Sequence, residues 1–81
     1  MIRNKYIPLQ QLPNGQWLVT FSLNHRNVFT GDAEVRYHQV QFTNKPTVEM
    51  LKRRLRTFVM AYPDELKINV NEFDFSPYLI Y

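Results

Sequence analysis

Residues 41–63 read QFTNKPTVEMLKRRLRTFVMAYP, and within them the chain changes from one periodicity to another. Upstream, apolar residues alternate as they do in strands. Inside, Val48, Leu51, Leu55, Phe58, Val59 and Tyr62 recur at spacings of three and four. At about 100° per residue they fall within roughly 100° of arc, so the stretch predicts one amphipathic helix with one apolar stripe. Pro46 suits a helix entry and Thr47 is the expected N-cap. The capping box is incomplete, because position 50 is Met, but Glu49 still lies in the first turn, where the helix dipole favours an anion. Tyr62-Pro63 ends the helix, since the residue before a proline avoids the α region.

The same helix carries Lys52, Arg53, Arg54 and Arg56. Measured from the centre of the stripe, Lys52 lies about 75° away, Arg56 about 115° and Arg53 about 175°, with Arg54 about 85° away on the other flank. The cations therefore surround the solvent side, with Glu49 among them, as on an ordinary solvated face. A phosphate-tracking surface needs basic groups that converge on one groove-sized patch. Lys52, Arg53 and Arg56 are the residues such a surface would use, and a nucleic-acid-binding module built on them is the alternative function.

Working back from the helix, EVRYHQVQF (34–42) reads as a strand whose apolar parity slips. Val35 and Tyr37 share one face, while Val40 and Phe42 share the other. A bulge near His38-Gln39 would bring all four to one side, and burial on both faces would also account for the slip. Residues 24–33 are expected to be the longest loop, with Gly31-Asp32 as a turn signal. Trp17, Val19, Phe21 and Leu23 alternate with Leu18, Thr20, Ser22 and Asn24, the pattern of a half-buried strand. Pro13-Asn14-Gly15 is a strong hairpin turn. Tyr6, Ile7 and Leu9 suggest a further strand, which Pro8 confines to a sheet edge or to the start of pairing. Beyond the helix, LKINVNEFDF (66–75) alternates well enough to predict a fourth strand, bulged at Asn71-Glu72. The expected architecture is α+β, in the order β-β-β-α-β, with one helix packed on one face of a mainly antiparallel sheet.

The 81 residues form one expected domain, 1–81. A chain this short buries only roughly 60% of its unfolded surface, so its core is small. Apolar residues make up 44% and aromatic ones 15%, and Trp17, Phe21, Tyr37, Phe42, Phe58 and Phe73 are the expected aromatic core. There is no cysteine, which removes disulfides, thiolate metal sites and thiol nucleophiles from consideration. No apolar run reaches the roughly 18 residues of a membrane span, and the opening residues lack the apolar stretch of a signal peptide. The expected location is the cytoplasm of the cell in which the protein is made, or a virion assembled there. Net charge is +3, but the segment 63–81 is net acidic and follows the basic helix. Adjacent segments of opposite sign complement each other within a fold more often than they recruit a polyanion.

Little here looks like chemistry. His25 and His38 are the two histidines, and Asp32 or Glu34 would be needed as further metal ligands, in no recognised spacing. Ser22 and Ser76 lie in no nucleophile motif. Asp64-Glu65 and the Glu72/Asp74 pair read as exposed carboxylates. Gly15 and Gly31 cannot make a phosphate-cradling loop. Sheet-reading DNA-binding domains also place a helix after three strands, but they carry several basic residues on the exposed sheet face, where Arg36 is the one candidate here. The expectation is a protein that is not an enzyme and uses no cofactor or metal. The C-terminal SPYLIY is unusually apolar, so Tyr78, Leu79, Ile80 and Tyr81 either fold back onto the sheet or form a docking tail or oligomer contact.

NKYIPLQQLPNGQWLVTFSLNHR followed by YHQVQFTNKPTVEMLKRRL resembles small phage and prophage proteins of gut bacterial genomes. Their pattern is a Y-P-L strand, a turn, a strand like Y-L-V-T-Y-S-L-N, then Y-Y-E-V-x-F-x-x-K-P-T-x-E-x-I-K and an amphipathic helix. The match covers about residues 5–66, and Phe42 with Lys45-Pro46-Thr47 and Glu49 is its best marker. After Leu66 the chain departs from the pattern, which continues with a Trp-containing segment. The resemblance implies a phage-encoded, non-enzymatic protein, virion- or tail-associated, and transfers no catalytic or binding residue. The expected function is protein interaction, with a protein partner or a homo-oligomer. Its contacts would be an exposed strand edge, the rim of Lys52, Arg53 and Arg56, and the terminal Tyr78, Leu79, Ile80 and Tyr81.

Overall fold

Pro13-Asn14-Gly15 closes the first hairpin as its residue types require. In the computed structural model, which describes residues 7–79, Gly15 N–H donates to Leu12 C=O and Leu12 N–H to Gln16 C=O. Gly15 sits at φ +88°, left-handed backbone that a side chain would strain. The turn joins β1 (Leu9–Gln11) to β2 (Trp17–Arg26), and β2 pairs in turn with β3 (Ala33–Phe42). All pairing is antiparallel, in the spatial order β1-β2-β3. β1 starts directly after Pro8, on an edge, where a missing N–H costs no ladder bond.

The register of β2 with β3 runs unbroken from Trp17↔Phe42 to Arg26↔Ala33. There is no bulge at His38-Gln39, and the parity slip has another cause. Phe42, Val40, His38, Arg36 and Glu34 share the face that carries Val19, Phe21 and Leu23, whereas Val35 and Tyr37 point to the opposite face and are about half exposed. The strands also reach further than expected, so the loop shrinks to residues 27–32 and His25 belongs to β2.

Helix α1 (Val48–Ala61) follows the sequence pattern closely. Thr47 Oγ1 accepts from Met50 N–H at 3.3 Å, and Leu51 and Leu55 are fully buried. Val48, Phe58, Val59 and Tyr62 pack partly buried around them. Together with Leu9, Val19, Phe21, Leu23 and Val40 from the sheet, they form a core on the helix-side face. At about 1.5 Å per residue the helix spans roughly 21 Å. At about 3.4 Å per residue the ten-residue β2 and β3 span roughly 34 Å. The hairpin therefore outruns the helix. Toward its far end the core-side face carries the exposed Glu34 and Arg36.

Residues 66–75 do not form the expected fourth strand. Leu66, Ile68 and Val70 do alternate inward and pack on the core. The backbone instead turns at 69–72, where Asn69 C=O accepts from Glu72 N–H and Asn69 Oδ1 from Asn71 N–H. Asn69 supplies its own local acceptors, and these compete with a ladder. A 3-10 turn, Ser76–Tyr78, follows, with Asp74 accepting from both Ser76 N–H and Ser76 Oγ. Those two bonds hold the Asp74 carboxyl below its ordinary pKa. The turn drives Tyr78 into the core against Phe21, at 5.0 Å between ring centroids. Phe75 and Tyr78 thus occupy the place assigned to Tyr37 among the core aromatics.

Candidate functional site

The loop 27–32, the adjoining ends of β2 and β3 and the segment after the helix meet at the far end of the β2–β3 hairpin. The loop 27–32 is self-organised: Asn27 Oδ1 accepts from the N–H groups of Phe29 (2.8 Å) and Thr30 (3.2 Å), and Asn27 C=O accepts from Gly31 N–H. Gly31 takes φ +81°, which permits the return. At the tip of this ordered turn Phe29 is 95% exposed, with Val28 beside it more than half exposed. Beneath the tip lies a half-open groove of about 470 Å³, lined by the loop, by His25, Glu34 and Arg36 from the strands, and by Glu65 from the segment after the helix.

The groove has a charged wall and a buried floor. Arg36 Nε donates to Glu34 Oε1 at 3.0 Å, an exposed pair that raises the Arg36 pKa further, and Arg36 Nη1 lies 4.0 Å from Glu65 Oε1. His25 is only 2% exposed, yet both ring nitrogens are engaged: Nδ1 with Glu65 Oε1 at 3.2 Å and Nε2 with His38 Nε2 at 2.8 Å. A carboxylate accepts, so His25 Nδ1 is the donor to Glu65, and the bond to His38 joins the two Nε2 atoms with one as donor and the other as acceptor. The Arg26 N–H bond to Glu65 C=O (3.0 Å) ties the segment after the helix to β2 and holds Glu65 in reach. Tyr62 and Phe58 roof the two imidazoles at 5.1 and 4.9 Å. Burial, then the neighbouring His25 and Arg36, lowers the His38 pKa. The arrangement satisfies a polar pair under an aromatic cover. Among the described residues no group of three His, Asp or Glu side chains is placed to hold a metal ion.

The second feature is the free edge of β3. Because the order is β1-β2-β3, no described strand lies beyond it. The edge runs for ten residues without proline or bulge. On its face away from the helix, Val35 is 50% and Tyr37 58% exposed. Edges of this length are usually shortened, bulged or covered.

The helix cations do not converge. Arg53 and Arg54 line a shallow groove of about 340 Å³ with Phe42, Met50 and Thr57, while Lys52 and Arg56 fall outside it. None of the four forms an ion pair with another described residue. Arg36, the one cation expected on the open sheet face, points to the helix side instead, opposite Leu23. Tyr78, expected among the partner contacts, is 4% exposed and is part of the core, and Leu79 packs partly buried against it. Ile80 and Tyr81 lie outside the described residues. Phe29 and the groove beneath it carried no signal in the sequence, since a single Phe in a polar loop has no periodicity. The Asn27–Gly31 turn chemistry was the one available hint.

Among the described residues, no helix is long and apolar enough to cross a membrane. No family model, curated protein or solved structure matches this chain.

Proposed function

We propose that this chain is a small, non-enzymatic protein-interaction module whose contact surface is the far end and free edge of the β2–β3 hairpin. The carrying observation is Phe29, an almost fully exposed aromatic presented on a hydrogen-bonded turn beside an unpaired strand edge. Exposed aromatics cost solubility, and they are the side chains that dominate binding hot spots. A free edge takes up an additional strand by main-chain hydrogen bonds, with side chains on alternate faces reading the partner. The resemblance to phage and prophage proteins supports a place in a phage assembly, in the virion or its tail, or in the host cytoplasm. The scattered helix cations favour a protein over a polyanion as partner.

Selection of a displayed peptide library on the folded chain tests this. Selected peptides should lose about tenfold or more in affinity on Phe29→Ala, with the melting temperature unchanged, and the chain should elute apart from a random DNA duplex at physiological salt. Peptide binding indifferent to Phe29→Ala would overturn the assignment of the surface. Co-elution with duplex that persists at physiological salt, and is lost on reversing Lys52, Arg53 and Arg56 together, would overturn the class.

A further inference from the structure

We infer that the strand taken up by β3 is β3 of a second copy, paired antiparallel across a two-fold axis at Val35, so that two three-stranded sheets become one. The inference rests on the reading of the hairpin edge as the contact surface, and it names the partner.

The backbone comes first. Asn27 N–H donates to Asp32 C=O across the hairpin, so even-numbered groups of β3 turn toward β2. The other side of β2 confirms the alternation, because its even-numbered residues Thr20 and Arg26 donate away from β3, to Pro8 and Glu65. Odd-numbered groups of β3, Val35 at their centre, therefore turn to the free edge. A two-fold axis at Val35 makes Val35 and its copy a hydrogen-bonded pair. Such an axis stands perpendicular to the sheet and keeps both helices on the same side.

Charge then selects the register. Glu34 and Arg36 flank Val35 on the helix-side face. With the axis at Val35, Glu34 of each copy faces Arg36 of the other, twice over. An axis one residue either way sets Glu34 against Glu34 or Arg36 against Arg36, and like charges directly opposite are destabilising. Inward charges on an edge normally discourage pairing. Here opposite signs at positions two apart discourage every neighbouring register and permit this one. Val35 meets Val35 on the open face, covering apolar surface that is half exposed in one copy.

The geometry also gives Phe29 a seat. Six residues from Val35 toward the loop lies Phe29, and the position opposite it in the second copy is Gln41, next to Phe42. Phe42 lines the groove with Met50, Arg53, Arg54 and Thr57. That groove opens on the helix side. So does the cavity under the loop, whose walls include the helix-side residues Glu34 and Arg36. The exposed ring of one copy and the Phe42–Met50 groove of the other lie at the same end of the joined sheet.

The chain has no cysteine, which makes the register directly readable. Facing residues of a hydrogen-bonded pair have Cα atoms about 5.5 Å apart, within the roughly 4.4–6.8 Å of a disulfide. Oxidised Val35→Cys should run as a covalent dimer, whereas Gln39→Cys, on the same edge but far from the axis, should stay monomeric. In sedimentation equilibrium Glu34→Arg and Arg36→Glu should each weaken self-association about tenfold. Their equimolar mixture and the double variant Glu34→Arg/Arg36→Glu should restore it. Circular dichroism melting keeps misfolded variants out of the comparison. A wild type that is monomeric up to millimolar concentration, a double variant as weak as the singles, or cross-linking through position 39 as readily as 35 would overturn the inference. A monomer that still takes Phe29-dependent peptides overturns the self-pairing alone and leaves the interaction module standing. A chain that binds only DNA overturns both.

Discussion

At position 25 an imidazole occupies the place in β2 where Phe21 and Leu23 lead one to expect another hydrophobe. It is tolerated because both nitrogens are bonded, one to Glu65 and one to His38, and a buried polar ring without partners would cost about 1–3 kcal/mol. The bond between the imidazoles needs at least one of them neutral. His38 is the group whose folded pKa is lowered from its ordinary 6.5, chiefly by burial and then by His25 and Arg36. The unfolded chain therefore takes up a proton on His38 before the folded one does. Stability from this group is fully present above about pH 6.5 and is lost as pH falls below it toward the lowered folded value. The slope stays well under the roughly 1.4 kcal/mol per pH unit of a one-proton difference between the two states, because His38 is only partly covered and solvent limits its shift. The melting temperature should be level above about pH 7 and decline below about pH 6, and His38→Gln should flatten that decline. A melting temperature that rises on acidification, or an unchanged slope in His38→Gln, would show that His38 is not the group that sets the acid limb.

Among the elements, the helix was the most legible in the sequence and the segment after it the least. Six apolar positions at helical spacing, a Thr cap and a Tyr-Pro stop all specify α1 locally. The alternation of Leu66, Ile68 and Val70 has two physical realisations. One is a strand in a ladder; the other is a segment whose side chains alternate onto a core while its backbone bonds only locally, in turns, and joins no described strand. Asn69 decides for the second by drawing the backbone into a turn. What anchors this segment is its end: the Ser76–Tyr78 turn places the Tyr78 ring against Phe21 and stacks it with Phe73 at 6.2 Å. Tyr78→Ala should cost about 3–5 kcal/mol, as for other large-to-small changes in a core. Against a total of about 5–15 kcal/mol for a domain, that is a fall in melting temperature of well over ten degrees (about 4–8 °C per kcal/mol at this size). Thermal denaturation followed by far-ultraviolet circular dichroism measures it. A loss under about 1 kcal/mol would mean that the turn is an appendage and that Tyr78 is available as a contact.

At the scale of the molecule, the described residues form a slab of 41 × 37 × 19 Å, with a sheet longer than the helix that covers it. That mismatch explains why the far end stayed illegible. Its groove is assembled from a loop, two strands and the segment after the helix, and no local pattern joins Phe29 to Glu34, Arg36 and Glu65. It also explains why β3 read as a strand with a slipped register: the helix-side face turns polar where the helix ends. The distribution of charge over the slab leads to the last prediction. Arg53 and Arg54 lie along one groove and Lys52 and Arg56 outside it, so few of them can reach phosphates at once. Each neutralised phosphate contributes about 0.9 to the slope of log K against log salt. Fluorescence anisotropy with a random duplex should therefore give weak binding at low salt, a slope of about 2 or less, and no binding at physiological salt. Reversing Lys52, Arg53 and Arg56 together should move stability little, since none is ion-paired with a described residue and Arg53 and Arg56 are exposed. A slope of about 4 or more, abolished by that triple reversal, would mean that the cations act as one surface, and the helix rather than the hairpin would then be the face that binds.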